Sequence, residues 1–118
     1  MKIDIPGIDA EKGLDLYDDD IDIYLTVLRS YAANTPLVLD RLRKVTAETL
    51  NDYTANAHGV KGTSANLGAE EIRMTALKME NLAKAGDLQG VLANNDAFLK
   101  EADALVANIQ NWLKENDG

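Results

Sequence analysis

With 118 residues, the chain is long enough for one domain with one hydrophobic core, and 46% hydrophobic with 27% charged residues is typical of a folded protein. A formal net charge of −8 disfavours nucleic acid and anionic membrane surfaces as partners. The absence of cysteine excludes disulfides and thiolate metal sites, and no apolar run approaches the ~20 residues of a membrane span.

The first residues are predicted to form an extended lead-in over residues 1–8. They carry one positive charge and no apolar stretch of signal-peptide length, so we expect a cytoplasmic protein. A short helix is predicted over residues 9–17, with Asp9 as its N-cap and Gly13 as a weak point.

The first long helix is predicted over residues 19–45. Three aspartates at its start favour the positive end of a helix. Pro36 interrupts the run, but the apolar stripe keeps its phase across it, which predicts one kinked helix or two nearly collinear ones. The stripe alternates spacings of three and four and consists of Ile21, Tyr24, Leu28, Tyr31, Thr35, Val38, Leu42 and Val45.

Three further helices are predicted over residues 49–67, 69–85 and from residue 87 onward. Gly68 ends the first of them, whereas Gly86 ends the next and Asp87 caps the last. Residues 115–118 are predicted to fray. The predicted inward residues are Leu50, Tyr53, Ala57, Val60, Ser64 and Leu67; then Ile72, Ala76, Met79 and Leu82 or Ala83; then Leu88, Val91, Leu92, Asn95, Phe98, Leu99, Ala102, Leu105, Val106, Ile109 and Leu113.

The connections between these helices are short, which favours antiparallel neighbours. No segment alternates with a period of two, so no sheet is expected. The predicted fold is therefore an all-α, antiparallel up-down four-helix bundle with a short N-terminal helix, in a single domain over residues 1–118. We expect a monomer.

His58 is the only histidine in the chain. On a helical wheel it lies roughly 130° from the centre of the apolar stripe, which predicts an exposed imidazole. Lys61 follows on the shoulder of the same helix, where its ammonium can reach outward. Small residues surround the histidine, and Gly59 and Gly62 each cost a helix roughly 1 kcal/mol relative to alanine. Close approach of another protein's backbone would explain both glycines.

Plainer readings of the same residues exist. A lone histidine is usually an ordinary surface residue, a lysine three residues away occurs by chance, and two glycines can mark a break that turns residues 59–68 into a loop. The coincidence of all three features on one face makes a functional site as well supported as these plainer readings.

The central motif resembles that of a histidine-containing phosphotransfer (Hpt) domain. The family pattern is His-x-x-Lys-Gly-Ser/Thr-Ser/Ala-x-x-x-Gly-Ala, and this chain has His58, Lys61, Gly62, Thr63, Ser64, Gly68 and Ala69 at the matching positions. The lead-in around residues 7–14 and the segment 79–87, which includes Glu80, are also similar to the family. Gly59 is an unusual neighbour for the histidine, and Thr63 replaces the commoner serine.

The resemblance implies a phosphorelay intermediate of two-component signalling. His58 would accept a phosphoryl group, through Nε2 as in the family, from the aspartyl phosphate of one receiver domain and pass it to another. Lys61 would stabilise the charge of the phosphoryl oxygens, and Gly62 would leave room for the receiver. The implied partners are receiver domains of response regulators or hybrid histidine kinases. Mg²⁺ is expected on the receiver, and no cofactor or metal is expected on this chain.

Other functions were weighed against this one. Residues 59–64 superficially resemble a phosphate-binding loop, but their order is wrong and no strand precedes them, so the chain has no kinase or nucleotide-binding signature. A metal hydrolase is disfavoured by the single histidine. The main alternative is a non-catalytic helical adaptor or inhibitor that binds a signalling partner without carrying phosphate.

Two further expectations concern the surroundings of the site. Leu25 and Ala32 or Ala33, on the first long helix, are predicted to be exposed and to complete the docking surface. The N-terminal methionine favours a freestanding protein over a piece excised from a larger kinase.

Overall fold

The computed structural model describes residues 2–117, and over this range the chain forms helices and no strand. This confirms the all-α prediction. The elements in chain order are α1 (Ala10–Asp15), α2 (Ile21–Leu42), a 3₁₀ turn (Ala47–Thr49), α3 (Leu50–Ala65), α4 (Glu70–Lys84) and α5 (Leu88–Asp117).

The four long helices form a closed ring of neighbours. Helix α2 packs against α3 and α5, and α4 packs against the same two helices from the other side. The bundle measures 46 × 24 × 18 Å, and the short α1 adds to it at one end. The predicted up-down four-helix bundle with a short N-terminal helix is therefore confirmed. None of the helices within residues 2–117 combines the length and the hydropathy needed to cross a bilayer.

The core consists largely of the predicted apolar stripes. In α3 and α4 the buried residues include Tyr53, Ala57, Val60, Ser64, Ile72, Ala76, Met79 and Ala83. In α5 the prediction was wrong for Leu92, which is 50% exposed, and it missed Trp112, which is buried next to the half-buried Leu113.

Helix α2 ends at Leu42 and not at residue 45, and it continues through Pro36 as one helix. The backbone groups that a further turn would pair with each other are bonded to side chains instead. The buried amide of Asn95 donates to the carbonyl oxygen of Leu42 at 2.9 Å. The backbone N–H of Thr46, which would bond that carbonyl in a longer helix, donates instead to Oγ1 of Thr49 at 2.9 Å.

The face that α2 buries is wider than the predicted stripe. Because α2 contacts both α3 and α5, Leu25 and Ala32 are also buried, and only Ala33 of the three predicted docking residues is exposed. The expectation that Leu25 and Ala32 contribute to an exposed docking surface is therefore wrong.

The turn between α3 and α4 is held by the N-terminal part of the chain. Helix α3 ends at Ala65, two residues before the predicted end, and Gly68 lies in the turn that follows, with a φ of +80°. Three consecutive carbonyl oxygens of this turn accept hydrogen bonds from Tyr17 Oη (to Asn66, 2.9 Å), from Tyr24 Oη (to Leu67, 2.6 Å) and from the N–H of Asp9 (to Gly68, 3.0 Å). The position of the turn between α3 and α4 is thus fixed by contacts with residues that are distant in the sequence.

Gly13, predicted as a weak point of α1, is required by the packing of α1 against the same turn. It is buried, and a Cβ at this position would meet the carbonyl oxygen of Leu67 and the ring of Tyr24. Asp9 caps α1 as predicted, because its carboxylate accepts the N–H of Lys12 at 3.1 Å.

The two ends of the chain are more ordered than expected within the described residues. In the lead-in, Ile3 and Ile5 are buried against the core. Helix α5 includes residues 115–117, which were predicted to fray, and the amide of Asn116 donates to the carbonyl oxygen of Trp112 at 2.8 Å. Met1 and Gly118, which complete the predicted lead-in and tail, lie outside the described residues.

Candidate functional site

His58 lies on the outer side of α3, as its position on the helical wheel predicted. Its side chain is 66% exposed, whereas Ala57, Val60 and Ser64 of the same helix are buried. Residues 50–65 are helical throughout, so the loop alternative for residues 59–68 is wrong up to Ala65. The imidazole is therefore presented to solvent on a rigid support.

The buried carboxylate of Glu80, on α4, anchors the ring from below. Its Oε2 lies 2.7 Å from Nδ1 of His58, and its Oε1 accepts a hydrogen bond from Nζ of Lys61 at 2.7 Å. The Glu80 side chain is only 2% exposed. A buried carboxylate needs partners of this kind, because an unpaired charge away from water is very costly.

These partners keep Glu80 ionised. Burial is the largest influence and by itself would raise the pKa of Glu80, but the hydrogen bonds from Lys61 and His58, together with the positive charge of Lys61, outweigh it, so that the pKa is lowered. An ionised carboxylate can only accept hydrogen bonds. Nδ1 of His58 must therefore carry the proton in the bond to Glu80.

This assignment fixes the tautomer of the neutral ring. With the proton on Nδ1, the lone pair of the neutral imidazole lies on Nε2. Because Nδ1 is turned towards the buried Glu80, Nε2 is turned away from it, on the exposed side of the ring. From the sequence, only the family resemblance pointed to Nε2; the geometry independently leaves Nε2 as the nitrogen with a free lone pair.

Lys61 occupies a different position from the one predicted. Its side chain is 25% exposed, and its ammonium is bonded inward to Glu80 and does not reach outward from the shoulder of α3. The distance of 2.7 Å is typical of a charge-assisted hydrogen bond. Lys61 therefore compensates the buried carboxylate, and its charge is brought close to the ring of His58 by their common partner.

The two glycines beside His58 have no packing role inside the bundle. A Cβ built at Gly59 or Gly62 meets no described atom within 4 Å, and neither residue has a positive φ. Gly62 lies one turn after His58 on the same exposed face, as predicted. The fold would accept alanine at both positions, so that the missing side chains leave room on the outside.

An open groove runs between α2 and α3 beside this face. It has a volume of about 420 Å³, and its lining is mostly apolar. The α2 side contributes Thr26, Val27, Ser30, Tyr31, Asn34, Thr35 and Val38, and the α3 side contributes Gly59, Val60, Thr63 and Asn66. Gly59, which follows His58 in the chain, is part of this lining, so that the groove adjoins the exposed face of α3.

Sequence reasoning assigned no role to Glu80, although a signal for it existed. Glu80 follows Ala76 by four residues and precedes Ala83 by three, so that it shares the inward face of α4 with them. A carboxylate on an otherwise apolar face indicates a buried charge with a dedicated partner. The partner itself, on another helix, could not be read from this spacing.

The site contains no ready arrangement of metal ligands. Within residues 2–117, no three or more histidine, aspartate or glutamate side chains form a group that could hold a metal ion. What the site offers is one exposed nucleophilic nitrogen, a buried carboxylate that orients it, and lysine ammonium groups nearby.

Comparison with protein families gives one finding, a match of residues 24–112 to the family model described as Hpt domain. The match covers α3 and α4 entirely, and with them His58, Lys61 and Glu80. No curated protein and no solved structure matches the chain.

Proposed function

Because this chain belongs to the Hpt domain family, whose function is histidine phosphotransfer in two-component phosphorelays, we propose that His58 is its phosphorylated residue. In this proposal, His58 accepts a phosphoryl group from the aspartyl phosphate of one receiver domain and passes it to the aspartate of another. The observation that carries the proposal is the 2.7 Å contact between Nδ1 of His58 and the buried Glu80, combined with the 66% exposure of the ring.

The reaction is a direct exchange of one bond for another. The lone pair of Nε2 attacks phosphorus in line with the bond to the aspartyl oxygen, the N–P bond forms, and the P–O bond breaks with its electrons returning to the carboxylate. Transfer to the second receiver is the reverse exchange on a different aspartate. No oxidant, nucleotide or further reactant is required.

Glu80 acts as a positioning residue for this step. Phosphorylation of Nε2 while Nδ1 keeps its proton makes the ring cationic, and the ionised carboxylate of Glu80 stabilises that charge through the existing hydrogen bond. The same contact prevents the ring from rotating or changing tautomer. Both effects are in place before the partner arrives.

Lys61 and Gly62 complete the proposed machinery. The charge of Lys61, held beside the ring by Glu80, lowers the electrostatic cost of bringing phosphoryl oxygens to Nε2. Gly62 leaves the exposed face of α3 open, which allows the receiver's backbone and its phosphoryl group to approach. The absence of any described atom near a Cβ at Gly62 supports this steric role.

The proposed partners are receiver domains of response regulators or of hybrid histidine kinases, which would bring both the aspartate and the Mg²⁺ ion. The open face of α3 and the neighbouring groove provide a surface for a modest, transient interface. We further propose that the protein is a cytoplasmic monomer.

The direct test is transfer of labelled phosphate. We expect the chain, incubated with a ³²P-phosphorylated receiver, to acquire a label that is acid-labile and base-stable, and to deliver it to a second receiver. His58→Gln should acquire no label while keeping the circular dichroism spectrum of the wild type. Equal labelling of both proteins would contradict the proposal, and receiver binding without any label would indicate the non-catalytic adaptor.

A further inference from the structure

We propose that Gly59 determines which receiver domains this protein accepts, because it opens the groove between α2 and α3 to one bulky apolar side chain of the receiver. The inference rests on the proposed function, since the occupant is the domain that exchanges phosphate with His58. Gly59 is an unusual neighbour for the histidine, and the roles of His58, Lys61 and Gly62 in transfer do not account for it.

Gly59 lies at the end of the groove that adjoins His58. Because α2 and α3 are antiparallel neighbours, the first lining residue on α3, Gly59, and the last on α2, Val38, lie at the same end. A Cβ built at Gly59 meets no described atom within 4 Å. The groove is therefore widened by a missing side chain directly beside the reactive imidazole.

The groove has no charge to offer a partner. Among the described residues, the eleven that line it are all apolar or neutral polar, in a chain of which 27% of the residues are charged. A charged group that entered it would lose water without gaining an ion pair, which is unfavourable. The occupant that fits is therefore uncharged.

Several polar side chains of the lining already have hydrogen-bond partners within the protein. Four of them bond at 3.0 Å to groups of their own or the facing helix: Thr26 Oγ1 to the carbonyl oxygen of Asp22, Asn34 Nδ2 to that of Ser30, Thr63 Oγ1 to that of Gly59, and Tyr31 Oη to Oγ of Ser64. An occupant gains little from donors that are already bonded, so that burial of apolar area is the main attraction.

A groove of this kind recognises its occupant by size and shape, and the space above Gly59 then matters most. A bulky apolar side chain of a receiver would fill this space and bring the aspartyl phosphate towards Nε2 of His58. A receiver with a small side chain would leave the space empty and lose those contacts. The stability that α3 gives up at Gly59 is thus matched by a gain in recognition.

The test uses the full chain and a panel of ³²P-phosphorylated receiver domains, from which the receiver with the lowest KM is chosen. Gly59→Leu is expected to raise the KM for this receiver roughly tenfold, because leucine occupies the space that the receiver's side chain enters. Gly59→Ala, which adds one methyl group, should raise it less. The matched control is Ala97→Leu, which adds a leucine to an exposed position of α5 and should behave as the wild type.

A double-mutant cycle then identifies the occupant. The large, exposed apolar side chains of the chosen receiver are replaced by alanine one at a time. One of these variants should raise the KM with the wild-type chain and lower it with Gly59→Leu, because the truncated side chain no longer clashes with the leucine. A merely structural effect of Gly59 on α3 would be the same for every receiver variant.

Phosphoramidate provides a second readout, because this small donor needs no docking surface. Nε2 of His58 attacks its phosphorus, the P–N bond of the donor breaks, and ammonia leaves. Intact mass measured at neutral pH follows the reaction. The loss that Gly59→Leu causes with the receiver should exceed its loss with phosphoramidate by roughly tenfold. Equal losses would show that the substitution acts on His58 itself, and would overturn the inference.

The remaining outcomes separate this inference from the proposed function. Equal KM values for Gly59→Leu and Ala97→Leu, or a cycle in which no receiver variant responds to residue 59, would overturn the inference and leave the proposed function intact. A wild-type dimer in sedimentation equilibrium that Gly59→Leu dissociates would assign the groove to a second copy and also overturn it. If the wild type takes phosphate neither from phosphoramidate nor from any receiver, both proposals fail together.

Discussion

Glycine is used for opposite purposes on the exposed face of α3 and in the turn that follows this helix. In the turn, a Cβ on Gly68 would meet the carbonyl oxygen of Asp9, and its φ of +80° disfavours any other residue. On the face, Gly59 and Gly62 have helical backbones and open space around them. The fold requires Gly68, whereas Gly59 and Gly62 lower the stability of helix α3.

The two regions contribute differently: the turn stabilises the fold, whereas the exposed face of α3 is less stable and leaves open space beside His58. The turn is closed by contacts with the N-terminal segment, and its residues are chosen for fit. The exposed face gives up roughly 1 kcal/mol of helix stability at each glycine and gains free space beside His58. Such a loss with no internal benefit indicates an external one.

The largest expected effect concerns the turn. Gly68→Ala should lower the free energy of unfolding by about 2–4 kcal/mol, because it combines a left-handed backbone with a clash against Asp9. Urea denaturation measures the change.

Gly86→Ala is the matched control for this prediction. Gly86 has a φ of +74° but no described atom within 4 Å of its Cβ, so this substitution should cost only about 1 kcal/mol. If the two variants are equally stable, the contact with Asp9 contributes nothing. The claim that the fold requires glycine at position 68 for packing would then be wrong.

Glu80 is intermediate between the two regions, because its side chain is buried but bonds to His58 on the exposed face of α3. Glu80→Gln should lower the free energy of unfolding by about 1–2 kcal/mol at neutral pH, since charge-assisted bonds to His58 and Lys61 are weakened. A lowered pKa means that the stability from the carboxylate is present above its ordinary value of 4.5 and is lost as the pH falls through the lower, folded-state pKa.

The measurement is urea denaturation as a function of pH. The difference between wild type and Glu80→Gln should shrink as the pH falls below 4.5 and the carboxylate becomes protonated. Glu115→Gln removes the same charge from an exposed position of α5 and is the control. A difference that stays constant down to acid unfolding would show that the charge of Glu80 is not what stabilises the site.

The smallest expected effect concerns the exposed face and has the opposite sign. Gly62→Ala should raise the free energy of unfolding by about 0.5–1 kcal/mol, because alanine favours the helix and the space for its Cβ is empty. Gly62→Gln should leave the helix content nearly unchanged by circular dichroism and yet slow phosphoryl transfer strongly, because its side chain occupies the approach to His58.

Ala97→Gln is a suitable control for the transfer experiment, since Ala97 is exposed on α5 and a glutamine there should not affect the rate. Normal transfer by Gly62→Gln would remove the steric explanation for the glycine. A loss of stability in Gly62→Ala would show that the face is not the open surface that the structure describes.

Much of the fold could be predicted because the hydrophobic period is a local property of the sequence. The stripe of α3 located its buried residues and placed His58 on the opposite side. Gly68 and Gly86 marked helix ends through their conformational freedom. The same periodicity overestimated the length of α2, because the bond from Asn95 to Leu42 that replaces its last turn comes from a distant part of the chain.

The site was less predictable for the same reason. His58, Lys61 and Gly62 share one motif and one helix face, so that their proximity follows from spacing. The inward turn of Lys61 depends on Glu80, and Glu80 is brought to the site only by the packing of α4 against α3. The contact of Asp9 with Gly68 likewise joins segments whose relative position no local pattern encodes.

The three hydrogen bonds on the turn between α3 and α4 have a practical consequence for dissecting this protein. The family match begins at residue 24, so that a fragment trimmed to the matched boundaries keeps the hydroxyl of Tyr24 but discards Tyr17 and Asp9. Two carbonyl groups of the turn between α3 and α4 would then lose their hydrogen-bond donors. This turn sets the distance between the imidazole of His58 on α3 and the carboxylate of Glu80 on α4. The N-terminal segment thus supports the contact between His58 and Glu80, although it lies outside the residues that match the family model.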